Sequence, residues 1–158
     1  MAAIPTPFTG QHTALHASAS FVSLANASAA TLVGEVQNLG DMELSANVIE
    51  VSKYGSAYKQ KLVGQKDSGT LDITLNWVPD DSAQSEHGLL QTSYETGAKV
   101  FFTIIWNDAG TSPNQAGCTF SGFVQSFGIS QPLEDVVTVN VSINIDGAVT
   151  LDVDGTLT

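Results

Sequence analysis

Residues 62–79 read LVGQKDSGTLDITLNWVP, and the alternation inside this stretch decides the fold class. Leu71, Ile73, Leu75 and Trp77 occupy every second position, with Asp72, Thr74 and Asn76 between them. A repeat of two belongs to a strand with one buried and one wet face. Ahead of it, residues 64–69 (GQKDSG) are dense in turn formers, and glycine takes positive φ at little cost. Residues 58–63 read as a shorter strand. The pair is expected to form a hairpin across a medium loop.

Working outward, the chain stays rich in strands. Residues 31–37 and 43–51 read as strands flanking a turn at 38–41. Residues 99–106 (KVFFTIIW) are apolar on both faces, which predicts a central, doubly covered strand. Residues 119–129 form another strand, in which Gly122 and Gly128 mark bulges or close packing. Val137, Val139, Val141, Ile143 and Ile145 then alternate with Thr138, Asn140, Ser142, Asn144 and Asp146, a strand whose wet face is polar and largely neutral. One segment departs from this pattern. Pro79, Asp80, Asp81 and Ser82 form a helix start, since a carboxylate there caps free N–H groups. Ala83, His87, Leu90 and Tyr94 follow at helical spacing, and Gly97 is a stop. The order predicts a single domain over 1–158, mainly β (β-rich α+β): a two-sheet sandwich or barrel with one flanking α-helix over 80–96. Residues 1–30, rich in Ala, Ser and Thr, are expected to be an N-terminal arm, and residues 52–68 a projecting loop and hairpin.

Charge excludes several functions. Sixteen acidic residues face five lysines and no arginine, for a net charge of −11. Such a surface repels nucleic acid and argues against specific DNA or RNA binding. Lys53, Lys59, Lys61 and Lys66 crowd into one segment, with only Lys99 elsewhere. A basic segment on an acidic chain suits contact with another copy, and equally suits solvated lysines that guard an exposed edge. No run approaches the roughly 18 apolar residues of a membrane span, so no membrane anchor is expected. The start MAAIPTPFTG lacks a basic region and an apolar core, which sets the expectation of a chain without a secretion signal, folded in a cytoplasm. The single cysteine, Cys118, lies in an apolar pattern and reads as a small buried side chain.

Motifs for catalysis are weak. Residues 152–156 (DVDGT) match the nucleophile motif of haloacid dehalogenase-type phosphatases, in which two aspartates work beside magnesium. That chemistry needs an α/β domain after the motif, and an acidic tail is the simpler expectation. The i, i+4 pair His12 and His16 would suit a metal on a helix, but the segment is weakly helical and has no carboxylate or cysteine nearby. The acidic pairs Asp80-Asp81 and Glu134-Asp135 sit in caps and turns. A non-enzymatic protein without cofactor or metal is expected.

With these residues in view, the chain resembles the major tail tube proteins of long-tailed (siphovirus-type) bacteriophages. The likeness runs from residues 33–36 (VGEV) through 48–51 (VIEV), Tyr58-Lys59, 62–69 (LVGQKDSG) and 75–79 (LNWVP) to 120–124 (FSGFV) and 132–137 (PLEDVV). The resemblance implies a structural virion protein whose hexameric rings stack into a tube for genome delivery. Its partners would be further copies of itself, tape-measure and tail terminator or tip proteins, and double-stranded DNA in passage without specific binding. It would act in the virion tail and assemble in the host bacterial cytoplasm. On this reading Lys53, Tyr54, Tyr58, Lys59, Lys61 and Lys66 are candidates for contact between rings, and Asp72, Asn76, Asn140, Ser142, Asn144 and Asp146 for the lumen. An acidic lumen is expected from the net charge. The alternatives are the tube of a related contractile or secretion machine or gene-transfer particle, and, more distantly, a carbohydrate-binding β-sandwich. The last would want exposed aromatics, whereas Trp77 and Trp106 sit in core-like patterns.

Overall fold

A computed structural model describes residues 13–23, 30–78, 85–106 and 116–152 of the chain. The expected helix start at 79–84, His12, and the last residues of the DVDGT motif lie outside the described residues, as does the side chain of His87.

The strands are β1 (Ala14–Ser18), β2 (Thr31–Leu32), β3 (Val36–Leu39), β4 (Ser45–Val51), β5 (Gln60–Asp67) and β6 (Thr70–Asn76). After the helix α1 (Ser85–Thr96) come β7 (Val100–Trp106), β8 (Ala116–Ser130), β9 (Thr138–Ile145) and β10 (Thr150–Asp152). The main sheet runs β2-β1-β7-β8-β9-β6-β3, with β10 on β8, and curls into a half-barrel. All its pairings are antiparallel. The mainly β architecture with one helix is the one expected.

The two alternating strands lie side by side, and their apolar rows coincide. Leu71, Ile73 and Leu75 face Ile143, Val141 and Val139 in register, and all six are buried. Each such side chain contributes about 1.5–3 kcal/mol when fully buried, so these rows anchor the core. β7 is buried along most of its length, between β1 and β8, and Phe102 stacks on Phe120 with ring centroids 5.4 Å apart. α1 packs Leu90 and Ser93 inward. Tyr94, which follows Leu90 at helical spacing, is half exposed and stacked on Phe127 at 6.4 Å. The buried Ser93 hydroxyl has backbone partners: it donates to Ala98 O (2.6 Å) and accepts from Val124 N (3.3 Å).

Gly122 is required by close packing. A Cβ there would sit 2.5 Å from Asn144 O. Gly128 has ordinary room, its added Cβ meeting Asn140 O at 3.9 Å. The β8 bulge falls between Val124 and Ser126 rather than at either glycine.

Two expectations are corrected. First, β5 pairs with β4 and not with β6: Ile49 faces Leu62, Val48 faces Val63 and Glu50 faces Lys61 in a two-stranded sheet of their own. Residues 64–67 of the supposed turn belong to β5, and the true corner is Ser68-Gly69. There Asp67 Oδ1 accepts Gly69 N–H (3.1 Å) and Gly69 has φ 66°, a conformation that costs glycine little. So tight a corner redirects the chain, while the loop at 52–59 folds β5 back on β4. Second, part of the N-terminal arm is core. β1 pairs with β7 from Ala14↔Ile105 to Ser18↔Phe101, and Leu15 and Ala17 are buried.

Candidate functional site

Two surfaces stand out among the described residues. The first is the wet face of the strands β8, β9, β6 and β3. Because side chains alternate in a strand, the register that buries Leu71, Ile73 and Leu75 turns the intervening residues outward together. Asp72 faces Ser142, Thr74 faces Asn140 and Asn76 faces Thr138. Their side chains bond across the strands. Ser142 Oγ donates to Asp72 Oδ1, and Thr74 Oγ1 donates to Asn140 Oδ1 (2.9 Å). At the β3 edge, Gln37 Nε2 donates to Asn76 Oδ1 (2.6 Å), whose Nδ2 donates to Glu35 Oε2 (3.2 Å). Glu35 is held at φ 57°, and its carbonyl accepts Asn76 N–H (2.9 Å). On the other flank Asn144 Nδ2 reaches Gln125 Oε1 (3.4 Å). Asp72, Asn76, Asn140, Ser142 and Asn144 thus share one polar face. Asp146, at the end of that row, is paired with Lys99, so its charge is compensated. The acids brought to this face are Asp72 and, at its edge, Glu35, which the sequence reading did not single out.

Among the described residues this four-stranded portion has an open edge on each side. The main sheet ends at β3. On the opposite side β7 accompanies β8 only as far as Gly122, while β8 continues to Ser130. Beyond Gly122 no strand among the described residues lies on that side of β8. Ser93 takes up the Val124 N–H there. Nearby, Phe127 packs edge-on to Trp77 at 5.8 Å, and Ile129 is half exposed.

The second surface is the β4–β5 hairpin. Apolar residues stand on both its faces and remain exposed: Ile49 and Leu62 on one, Val48 and Val63 on the other. A two-stranded sheet alone is marginally stable in water, and this one keeps large apolar side chains exposed on both faces. The lysines are spread along it. Lys59 and Lys61 reach Glu50 at 3.1 and 3.9 Å, Lys66 faces Ala46 near the base, and Lys53 lies at the tip beside Tyr54. The Tyr54 and Tyr58 side chains stand free of the chain, at 110% and 85% exposure.

A cavity of about 820 Å³ lies near the hairpin base, lined by Met42, Leu44, Leu71, Ile104, Trp106 and Leu151 among others, with Asp41 the one charged residue of the lining among the described residues. Among the described residues no group of three or more His, Cys, Asp or Glu side chains converges, and no helix is long and apolar enough to cross a membrane. His16 lies on a strand, with Nδ1 3.3 Å from Ala30 O. Asp152 is buried on β10 opposite Gly117. Cys118 is fully buried, and burial pushes its thiol pKa up to about 11.

Among the described residues the fold is thus a curled antiparallel sheet with a polar face and two open edges, and a separate two-stranded hairpin. The chain belongs to the family described as phage tail tube, TTP, lambda-like, whose profile matches residues 8–154. No curated protein sequence matches it. Solved structures share its fold. The sheath/tube terminator of an extracellular contractile injection system (PVC), in its extended state, is 17% identical, with 96% of this chain and 100% of that one covered and a TM-score of 0.71. The SPP1 tail tube is 14% identical, with 92% and 79% covered and a TM-score of 0.63. The tail of an empty gene transfer agent particle is 11% identical, with 93% and 100% covered and a TM-score of 0.65. This chain is therefore a structural protein of the tail tube, a component of the virion tail.

Proposed function

We propose that six copies close into a ring with the wet face of β8, β9, β6 and β3 inward, and that rings stack through the β4–β5 hairpin into the conduit for the genome. The observation that carries this reading is the pair of free edges flanking a polar sheet face. Pairing the β3 edge of one copy with the 123–130 edge of β8 in the next would continue the sheet around the ring and leave no exposed edge. The C6 symmetry of the gene transfer agent tail supports the ring size. The lumen would be lined by Asn140, Ser142, Asn144, Asn76 and Asp72, groups that hold water and give DNA no basic anchor. The hairpin, with Lys53, Tyr54, Tyr58, Lys59, Lys61 and Lys66, would be the contact between rings. The chain is read as one tail tube domain, with tape-measure and terminator or tip proteins as further partners and the host cytoplasm as the place of assembly.

Thiol labelling tests the orientation. Asn140→Cys places a reactive thiol on the wet face, while Cys118 stays shielded in the core. A bulky polyethylene-glycol maleimide should modify Asn140→Cys in dissociated subunits and fail to do so in assembled tubes. Equal labelling of both would overturn the inward orientation.

A further inference from the structure

The β4–β5 hairpin and the β8–β9 turn leave the wet sheet at opposite ends. β5 stops at Asp67 and β6 begins at Thr70, opposite Asn144. β6 ends at Asn76, opposite Thr138, and Trp77 N–H donates to Val137 O (2.9 Å). The hairpin therefore joins at the Thr70 end, and the turn at 131–137 closes the Asn76 end. At about 3.4 Å per residue the two ends of β6 lie roughly 20 Å apart.

Each end carries what the other lacks. The hairpin tip presents two exposed rings, Tyr54 and Tyr58, beside Lys53 and Lys59. Lys53 makes no ion pair among the described residues. Lys59 holds Glu50 only through an exposed contact, which is easily exchanged. The turn presents Leu133, at 99% exposure, followed by the exposed acids Glu134 and Asp135. Asp135 Oδ1 accepts the Val136 N–H (2.7 Å), which holds the backbone of the turn.

We propose that the 131–137 turn of one copy receives the hairpin tip of a second copy in the adjacent ring, with Leu133 packed against Tyr54 and Tyr58, and Glu134 and Asp135 facing Lys53 and Lys59. The proposal rests on the reading that the hairpin reaches the next ring, and it names the surface that receives it. Two different patches meet, so the contact does not close on itself, and every copy offers one tip and one turn. That is the contact that generates an open stack. The rings and Leu133 supply buried apolar area, and the opposite charges set register and exclude wrong pairings.

Charge reversal in the full chain tests it. Three variants are compared: Lys53→Glu with Lys59→Glu, Glu134→Lys with Asp135→Lys, and all four together. All four side chains are exposed, and circular dichroism checks that the fold is kept. Tubes are counted by negative-stain electron microscopy and rings by native mass spectrometry. Each two-residue variant should form rings but roughly tenfold fewer tubes, and the four-residue variant should recover them. The two pairs of changes move net charge in opposite directions, so a loss in both excludes general repulsion. Normal tubes from the lysine variant would overturn the reading of the hairpin itself. Loss in the lysine variant with normal tubes from the turn variant, or no recovery in the four-residue variant, would leave that reading and overturn the turn as the receiver. Leu133→Asp, which leaves the charges opposite the tip in place, should also reduce tube number, and unchanged tubes would overturn the apolar part of the contact.

Discussion

β5 and β6 are neighbours in sequence, separated by two residues, yet they live in different surroundings. β6 has strict alternation, and its apolar residues Leu71, Ile73 and Leu75 are all at 1% exposure or less. β5 has its two large apolar residues side by side, Leu62 and Val63, so one points to each face, at 56% and 72% exposure. A strand patterned like β6 is satisfied by its own fold. A strand patterned like β5 is satisfied only when something covers both faces. One chain thus carries a strand whose apolar row is buried within the subunit and a strand whose large apolar residues stay exposed in it.

The contrast can be broken by mutation. The largest effect is expected in β6. Leu75→Ala should lower unfolding free energy by about 2–5 kcal/mol, measured by denaturant titration. A loss below about 1 kcal/mol would mean that β6 does not anchor the core.

The next effect belongs to Cys118, on β8 of the same sheet. Its folded pKa of about 11 exceeds the 9.0 of an unperturbed thiol. The unfolded chain therefore releases the proton first as pH rises. Stability from this group is fully present below pH 9 and is lost between pH 9 and 11, by about 3 kcal/mol at most. Cys118→Ala should flatten that alkaline decline in a melting series. An unchanged decline would assign it to other groups.

Gly122→Ala should destabilise by about 1–3 kcal/mol, because its Cβ would collide with Asn144 O. Gly128→Ala on the same strand should be within about 0.5 kcal/mol of wild type. Equal melting temperatures for the two would remove the close approach of β8 and β9 as the cause.

The smallest effects on the subunit are expected in the hairpin. Leu62→Ala and Glu50→Gln should each change unfolding free energy by less than about 0.5 kcal/mol, since one side chain is exposed and the other holds only exposed lysines. Leu62→Ala should nonetheless reduce tube yield in the assembly assay. Normal tubes would erase the distinction between the two strands.

The alternation of residues 71–77 and 137–145 was readable because side-chain direction in a strand depends on local backbone geometry alone. β1 carried the same signal in short form, with Leu15 and Ala17 inward and His16 and Ser18 between them, but small residues and a polar context hid it. The residues of the wet face could be read as two rows from the alternation of β6 and β9. That Glu35 joins them, and that Lys99 compensates Asp146, could not, because those contacts bring together residues 41 and 47 positions apart.

The sequence by itself determined that this is a strand-rich chain with one helix, which residues of β6 and β9 face the core, and, through the ordered set of motifs from residue 33 to 137, the tail tube family. Only the tertiary structure decided which strands pair. Residues 64–67 look like a turn when read locally, but they extend as strand because β4 supplies their backbone partners, from Ser45↔Asp67 and Ala46↔Lys66 onward. Strand partners are chosen by hydrogen bonds between distant segments, and the periodicity of one segment does not encode them. For the same reason the four lysines that cluster in sequence are spread from the tip to the base of the hairpin, and the free edges of β3 and β8 emerge only once every other strand has found its neighbour.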